Sequence, residues 1–310
     1  MKFKSTDILR LRIFALFIIL FYSTRIWAQE PIHIWKGIKK ELSRVTLTPY
    51  LPSDNNNKHI AVIICPGGSY CWLDNKNERA TVGKWLQQEG IAAFVLQYRT
   101  SGIPAFITHY RLLVPHNEYP AMVQDIQQTI HWLRSHAANY GIDPNKIGIM
   151  GFSAGAHLAM LSAEFAHVNF LSSMGVHSTV SLRPNFIAAI YPVVTLSDKR
   201  FVHKRSRRGL LGEWKKYSKA MRDSLSIEKH ITSDLPPVFL VNCIDDPIVK
   251  YQNSILLDSA LTAKHIPHLY LQYKTGGHGF GSNPKPSTEA VSWKKEFVNW
   301  IKKIDAQEAF

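Results

Sequence analysis

Cysteine is scarce in this sequence: its 310 residues include only three, Cys65, Cys71 and Cys243. No CxxC motif and no cluster of cysteine with histidine occurs, so the pattern predicts no metal site. Because the number is odd, at least one thiol is free or pairs with another chain. A small disulfide between Cys65 and Cys71 and a pair of buried free thiols are equal alternatives.

Long apolar runs are missing as well. The N-terminal run at residues 13–22 is shorter than the about 20 residues that a membrane-spanning helix needs. Basic residues precede this run, and Ala28 stands before Gln29 at its far end. This order is typical of a secretory signal peptide. We therefore predict a signal peptide at 1–28 and an exported mature protein, periplasmic or extracellular, with no stable membrane insertion after processing. An uncleaved N-terminal anchor is the alternative.

Acidic residues are few relative to basic ones, 23 against 37, which gives a formal net charge of +14. Without residues 1–28 the charge is +10, because 32 basic and 22 acidic residues remain. Such a balance favours acidic partners, including anionic polysaccharide or membrane surfaces. Helix-turn-helix, zinc-finger and aromatic RNA-binding signatures are absent, so we expect no nucleic-acid partner.

The sequence does contain a regular alternation of short apolar runs with helical patterns. Residues 59–65 read HIAVIIC, which is typical of a strand buried on both faces. The alternation predicts one α/β domain over residues 29–310, with a mainly parallel sheet and helices on both faces. Further strands are predicted at 91–96, 146–150, 186–191, 238–243 and 268–273, with an antiparallel edge strand at 45–49. Helices are predicted at 81–89, 121–138, 154–165, 251–261 and 288–304.

The alternation breaks at about residues 197–235, a segment called the insertion from here on. It carries a dense group of lysines and arginines between residues 199 and 216, followed by a helical stretch. Folds of this class bind ligands at the carboxyl edge of the sheet, so we expect the insertion to lie over that edge. Its charges either contact negative groups of a substrate or form a solvated basic face.

A nucleophile is predicted at Ser153. Residues 151–155 read GFSAG, which fits G-x-S-x-G, with a predicted strand before and a predicted helix after. A sharp turn between strand and helix strains the serine backbone and requires small neighbours, and it exposes the hydroxyl above the sheet. The strand and helix context makes this match far more specific than the pentapeptide alone.

A base and an acid follow in the chain order expected for such a serine. His278 lies in the segment GGHGF after the last predicted strand, where flanking glycines allow the loop to reach over the sheet edge. A serine hydroxyl needs such a base to remove its proton. The acid that orients the histidine is Asp245 or Asp246, both of which directly follow a predicted strand. Spacing alone does not choose between them.

An oxyanion hole is predicted at the turn CPGGSY, residues 65–70, after the first long buried strand. Glycine lets backbone N–H groups approach a developing negative charge, and Gly68 and Ser69 are the candidates there. The amide of Ala154, the residue after the nucleophile, supplies the second donor.

The sequence resembles exported bacterial α/β-hydrolases related to acetyl-xylan and feruloyl esterases. The resemblance covers about residues 43–301. It rests on the segments CPGGSY, AFVLQYR, YPAMVQDIQQTIHWLR, DPNKIGIMGFSAGAHLA, LPPVFLVNCIDDPIV and GGHGFG. In the family pattern the acid stands three residues before the valine of a D-x-x-V turn. This resemblance implies Asp246, which precedes Val249.

The sequence departs from this family at three positions. Glycine is common in the family where Ser69 and Ala156 stand, and proline is common where Lys250 stands. Serine and alanine still offer their backbone amides, so the departures bear on the substrate pocket more than on the chemistry.

The resemblance implies a serine carboxylic-ester hydrolase that deacetylates xylan-type polysaccharides or oligosaccharides through an acyl-enzyme, without a cofactor. Tyr70 and Tyr191 are expected to bind the acylated carbohydrate. A serine peptidase, a lipase-like esterase and a non-catalytic carbohydrate-binding module are the alternatives. The short segment before the first strand argues against the peptidase. The insertion is basic and not apolar, which argues against the lipase-like esterase. The set of catalytic residues is complete, which argues against the binding module. The oligomeric state stays undetermined.

Overall fold

Strands that are buried along their whole length form the middle of the fold. Three of them are β2 (Ala61–Cys65), β4 (Ile147–Phe152) and β6 (Val238–Cys243). Strands covered on both faces are apolar without alternation, which is why these segments read as continuous hydrophobic runs. The computed structural model that shows this describes residues 30–39, 42–103 and 117–307. The predicted signal peptide at 1–28 lies outside them.

Seven strands of the described chain form one sheet in the order β1-β3-β2-β4-β5-β6-β7. All neighbours are parallel except β1, which pairs antiparallel with β3 at the edge, as predicted. The remaining strands are β1 (Thr46–Tyr50), β3 (Ala92–Gln97), β5 (Ile187–Ile190) and β7 (His268–Tyr273). The predicted mainly parallel sheet is confirmed.

Helices cover both faces of this sheet, and alternate residues of β2 show how. Ile63 belongs to a hydrophobic cluster with α2, α3 and α6, whereas Val62 and Ile64 belong to a second cluster with α1 and α7. Successive side chains of a strand point to opposite faces, so one strand serves both layers. These helices are α1 (Ala80–Gln88), α2 (Ala121–Ser135), α3 (Ala154–Glu164), α6 (Gln252–Ala263) and α7 (Trp293–Ala306).

The insertion contains two further helices between β5 and β6. They are α4 (Lys204–Lys215), which is interrupted by a kink at Gly212, and α5 (Lys219–Ser224). Gly212 has φ 69°, a left-handed conformation that favours glycine. Among the described residues, no helix is long and apolar enough to cross a membrane.

Candidate active site

Ser153 sits on the sharp turn between β4 and α3. Its φ of 53° and ψ of −118° are a strained combination for a residue with a side chain. The turn packs tightly against β2, because a Cβ at Gly155 would lie 2.1 Å from the carbonyl oxygen of Cys65. Glycine is therefore required two residues after the serine, as the G-x-S-x-G pattern predicts.

His278 joins Ser153 and Asp246 in one hydrogen-bonded chain. The distance between His278 Nε2 and Ser153 Oγ is 2.9 Å. On the other side of the ring, His278 Nδ1 lies 2.6 Å from Asp246 Oδ2. A carboxylate only accepts, so Nδ1–H donates to it and Nε2 is left to accept the serine proton. The three predicted side chains thus come together in the geometry of an activated nucleophile.

The two adjacent aspartates have different partners. The Asp246 side chain is 1% exposed, and its second oxygen accepts hydrogen bonds from the amides of Ile248 (2.8 Å) and Val249 (2.9 Å). Asp245 is exposed and accepts from the amides of Gly276 and Gly277, at 3.2 and 2.8 Å. Asp246 therefore faces the imidazole, while Asp245 holds the loop that carries the imidazole. That second role was not part of the sequence prediction.

The turn after β2 has an unusual run of backbone conformations. Gly68, Ser69 and Tyr70 have φ values of 127°, 57° and 61°. Successive amides in such conformations form a concave site that favours an anion. The turn abuts the nucleophile, since a Cβ on Gly67 would lie 3.0 Å from the serine Cβ. Ala154 begins α3, so its amide lies at the positive end of that helix.

Tyr70 supports this turn from behind instead of facing a substrate. Its side chain is fully buried, and its hydroxyl lies 2.8 Å from His157 Nδ1. His157 Nε2 lies 2.9 Å from the carbonyl oxygen of Leu225, which can only accept, so Nε2 carries the proton and Nδ1 accepts from Tyr70. Burial lowers the pKa of His157 to about 4, which keeps the ring neutral. The expected substrate contact by Tyr70 is corrected to this structural role.

Tyr191 is also buried, so its expected contact with substrate is corrected in the same way. Its ring packs on His278 with 4.6 Å between centroids. Its hydroxyl donates to Glu78 Oε1 at 2.7 Å and accepts from the Gly281 amide at 3.1 Å. Tyr191 therefore fixes one face of the imidazole and the loop just beyond it.

Glu78 is a buried carboxyl that the sequence did not reveal. Besides Tyr191, it accepts a 2.6 Å hydrogen bond from the amide of Gly67 in the oxyanion turn. Burial raises its pKa to about 7, against the opposing effect of its hydrogen bonds. It stands in the polar segment DNKNER, where nothing in the pattern distinguishes it from solvated neighbours. Glu78 links the oxyanion turn to the ring that packs on His278.

The insertion lies against both halves of this site. A Cβ on Gly209 in α4 would stand 2.2 Å from the carbonyl oxygen of Ser69, so the helix touches the oxyanion turn. His203, just before α4, has its pKa lowered to about 4 by burial and then by electrostatic interaction with the nearby His278 and Arg205 side chains. The insertion therefore lies close to the catalytic residues at the carboxyl edge, as expected from its position in sequence.

Side chains outside the insertion hold it by its backbone. Lys250 Nζ donates to the carbonyl oxygen of Arg200 at 2.8 Å, and Asn253 Nδ2 donates to that of Phe201 at 3.0 Å. Lys250 is one of the positions at which the sequence departs from the family pattern. Its side chain serves to attach the insertion.

All three cysteines are free and buried, so Cys65 and Cys71 do not form a disulfide. Burial raises the pKa of Cys65, and it raises the pKa of Cys243 to about 12. In the described chain no group of three or more histidine, cysteine, aspartate or glutamate side chains is placed to hold a metal ion.

Sequence comparison finds an acetylxylan esterase and a xylanase among the relatives of this chain. The BD-FAE family model matches residues 47–261. The acetylxylan esterase of Xylanibacter ruminicola is 31% identical over 267 residues, which are 83% of this chain and 48% of that protein. Endo-1,4-beta-xylanase B of Butyrivibrio fibrisolvens is 32% identical over 234 residues, 75% of this chain and 34% of that protein. The chain thus spans about half the length, or less, of these curated relatives.

Structural comparison gives the same picture of the fold. The acetyl ester-xyloside bifunctional hydrolase from Caldicellulosiruptor lactoaceticus matches with a TM-score of 0.74 and 29% identity, covering 89% of this chain and 96% of that one. A carbohydrate esterase from gut microbiota matches with a TM-score of 0.72 and 19% identity, over 89% and 95% of the two chains. At 19% identity the second likeness concerns the fold alone. The predicted α/β-hydrolase fold is confirmed.

Proposed function

This chain belongs to the BD-FAE family, and on that premise we propose that it is a serine carboxylic-ester hydrolase that removes acetyl groups from xylan-type polysaccharides or oligosaccharides. The observation that carries the proposal is the hydrogen-bonded chain from Ser153 through His278 to Asp246. The names of the two curated relatives, an acetylxylan esterase and a xylanase, support the substrate class.

In the proposed cycle, Ser153 Oγ attacks the ester carbonyl carbon while His278 Nε2 takes the hydroxyl proton. The carbonyl oxygen becomes an oxyanion and accepts hydrogen bonds from the amides of Gly68 or Ser69 and of Ala154. Collapse of this intermediate breaks the bond to the sugar oxygen, which leaves with the proton from His278. An acetyl group then remains on Ser153.

Water completes the cycle. His278 takes a proton from the water, whose oxygen attacks the acetyl carbonyl, and a second oxyanion forms in the same place. Its collapse releases acetate and returns the proton to Ser153. Throughout, Asp246 holds the tautomer in which Nε2 can accept a proton. The proposed cycle uses these groups and water, with no cofactor.

Labelling with a fluorophosphonate tests the class of function. We expect covalent labelling of the wild-type chain and none of Ser153→Ala. Ser135→Ala, an exposed position on α2, is the matched control and should label normally. A wild-type chain that binds xylo-oligosaccharides but stays unlabelled would instead be a carbohydrate-binding module.

The preferred acyl group and leaving group distinguish the proposed acetyl esterase from a lipase-like esterase or a peptidase with the same fold. We expect acetate release from acetylated xylo-oligosaccharides, with kcat/KM for p-nitrophenyl esters falling from acetate to octanoate. A preference for octanoate would indicate a lipase-like esterase. Cleavage of peptide amides in place of esters would indicate a peptidase.

Export is part of the same proposal. The basic and short apolar pattern of residues 1–28 supports a signal peptide, and the larger compact unit of the chain begins at Pro31, just beyond it. We expect the mature N-terminus at Gln29 or within a few residues of it, as read by mass spectrometry of the exported protein. Recovery of intact Met1 from the membrane fraction would contradict this.

A further inference from the structure

A pocket of about 300 Å³ opens on the surface of the insertion. We call it the basic pocket. It is lined by Lys204, Arg205, Arg207, Arg208, Lys216 and Tyr217. Five of these six side chains are cationic, and no acidic residue is part of the lining in the described chain.

The arrangement concentrates positive charge in a small space. Burial, followed by the positive charge of Arg222, lowers the pKa of Arg207. Lys216 is compensated by Glu213 just outside the lining, with 2.6 Å between Nζ and Oε2. Like charges that line one pocket repel one another, so a bound anion would lower the electrostatic energy of the pocket. Guanidinium groups match the planar geometry of a carboxylate.

The basic pocket borders the catalytic centre. Four of its lining residues lie on α4, the helix whose Gly209 touches the oxyanion turn at Ser69, and the other two follow directly after that helix. The charges of Arg208 and Arg205 both act on the thiol of Cys71, the residue directly after that turn. The segment that carries the basic pocket is therefore the segment that packs against the oxyanion turn.

Exposed aromatic rings next to the cations distinguish the kind of anion. Tyr217 lines the pocket and is 66% exposed, with Lys216 Nζ 4.9 Å from its ring centroid. Trp214, in the last turn of α4, is 73% exposed. Large aromatic faces in water suit the apolar C–H face of a sugar ring, whereas a free inorganic anion would make no use of them.

We propose that the basic pocket is a subsite for the carboxylate of a uronic acid residue in an acylated oligosaccharide whose ester is cleaved at Ser153. This inference rests on the proposed function, because it adds a second recognition point to the same substrate. The chemistry recognised is a sugar ring that carries a negative charge. The pocket then acts as a specificity determinant and takes no part in bond breaking.

Kinetics on a pair of acetylated xylo-oligosaccharides, one neutral and one carrying glucuronic acid, test the subsite. The variant Lys204→Gln/Arg205→Gln removes two exposed cations and leaves Arg207, which donates to the Leu196 carbonyl, in place. We expect its preference for the acidic substrate, as a ratio of kcat/KM values, to fall about tenfold. The matched control Lys264→Gln/Lys302→Gln removes the same charge at exposed positions outside the pocket and should keep the wild-type ratio. An equal fall in both variants would overturn the proposal.

Binding measurements keep this test separate from the proposed activity. Titration calorimetry on the wild-type full chain, with non-acetylated xylo-oligosaccharides of both kinds, requires no hydrolysis. We expect tighter binding of the glucuronic acid-bearing oligosaccharide, and loss of that difference in Lys204→Gln/Arg205→Gln. Equal binding of both oligosaccharides would overturn the subsite even if the esterase is active. Equally effective competition by inorganic phosphate and by glucuronate would show a general anion site and would also overturn it.

Discussion

The sheet framework and the insertion place different kinds of side chain at the carboxyl edge of the sheet. In the framework, catalytic side chains follow strands whose apolar residues are buried, so hydrophobic packing fixes Ser153 after β4 and Asp246 after β6. The insertion also buries leucine and isoleucine side chains in the core, but its outer face carries cations and exposed aromatics over the same edge. Packing of the framework therefore places the catalytic side chains, whereas the outer face of the insertion carries the proposed subsite.

The hydrogen bonds that attach the insertion to the framework explain how the side chains of the two regions can differ so much. Three carbonyl oxygens of the insertion, those of Arg200, Phe201 and Leu225, accept hydrogen bonds from Lys250, Asn253 and His157 of the framework. A backbone carbonyl is the same in every residue type. The side chains of the insertion can therefore change without loss of these attachments.

The largest effect is expected within the framework. Asp246→Asn would stabilise the wrong imidazole tautomer, and kcat should fall by about 10⁴-fold, the size known for the same change in a serine protease. Asp245→Asn weakens only the hydrogen bonds to the Gly276 and Gly277 amides, so a fall of about tenfold or less is expected. Steady-state kinetics on an acetyl ester, after circular dichroism and melting show both variants folded, decide between them. A more damaged Asp245→Asn would make Asp245 the acid.

Contact between the two regions should come next in size. Gly209→Ala places a methyl group 2.2 Å from the carbonyl oxygen of Ser69, so either the oxyanion turn or α4 must shift. Because a displacement near 1 Å can cost 10²-fold in rate, we expect kcat to fall by about 10²-fold. Lys219→Ala, an exposed position on α5, introduces the same residue into the insertion and should leave kcat unchanged. A wild-type rate in Gly209→Ala would show that the insertion is not seated on the catalytic turn.

A smaller effect on rate is expected from a change in Tyr191, the residue whose ring packs against the His278 imidazole. Tyr191→Phe keeps the ring against His278 but removes the hydroxyl that joins Glu78 to the Gly281 amide. We expect kcat to fall about tenfold with little change in KM, because only the alignment of the base is loosened. A matched control is Tyr273→Phe, whose hydroxyl accepts from Ser292, just before α7, and does not contact His278 or Glu78 in the hydrogen bonds of the described residues. Equal changes in both variants would reduce the role of Tyr191 to general stability.

The smallest effect should appear in stability and not in rate. Burial lowers the pKa of His157 from 6.5 to about 4, so the folded state binds fewer protons than the unfolded chain between these values. The stabilisation is complete above pH 6.5 and is lost as the pH falls towards 4. Between pH 7.5 and 5 the free energy of unfolding should drop by about 2 kcal/mol more in the wild type than in His157→Gln. Urea denaturation at both pH values measures this, and parallel losses would contradict it.

Sequence reasoning succeeded where burial is continuous along the chain. The strands at 238–243 and 268–273 match the predicted limits. The strand predicted from His59 begins instead at Ala61, because His59 has φ 59° and cannot extend the sheet. Apolar pattern alone does not reveal such a turn.

The remaining differences between the sequence predictions and the structure come from contacts between residues that are distant in sequence. Glu78 is buried by Tyr191, a residue 113 positions away, so its polar neighbours in sequence hide its role. Tyr70 and Tyr191, which the sequence analysis assigns to substrate binding, are both buried in the structure. The same large side chain also suits a buried support, and only the three-dimensional packing separates the two uses.

The buried thiols have a practical consequence. A thiol reacts with alkylating labels as its thiolate, and burial both raises the thiol pKa and blocks access. Cys65, Cys71 and Cys243 should therefore resist maleimide dyes while the chain is folded. A cysteine introduced by Tyr217→Cys, at a 66% exposed position, would then take the dye alone. The native cysteines should therefore carry no dye. A dye attached at position 217 can then report on the edge of the basic pocket without any cysteine first being removed.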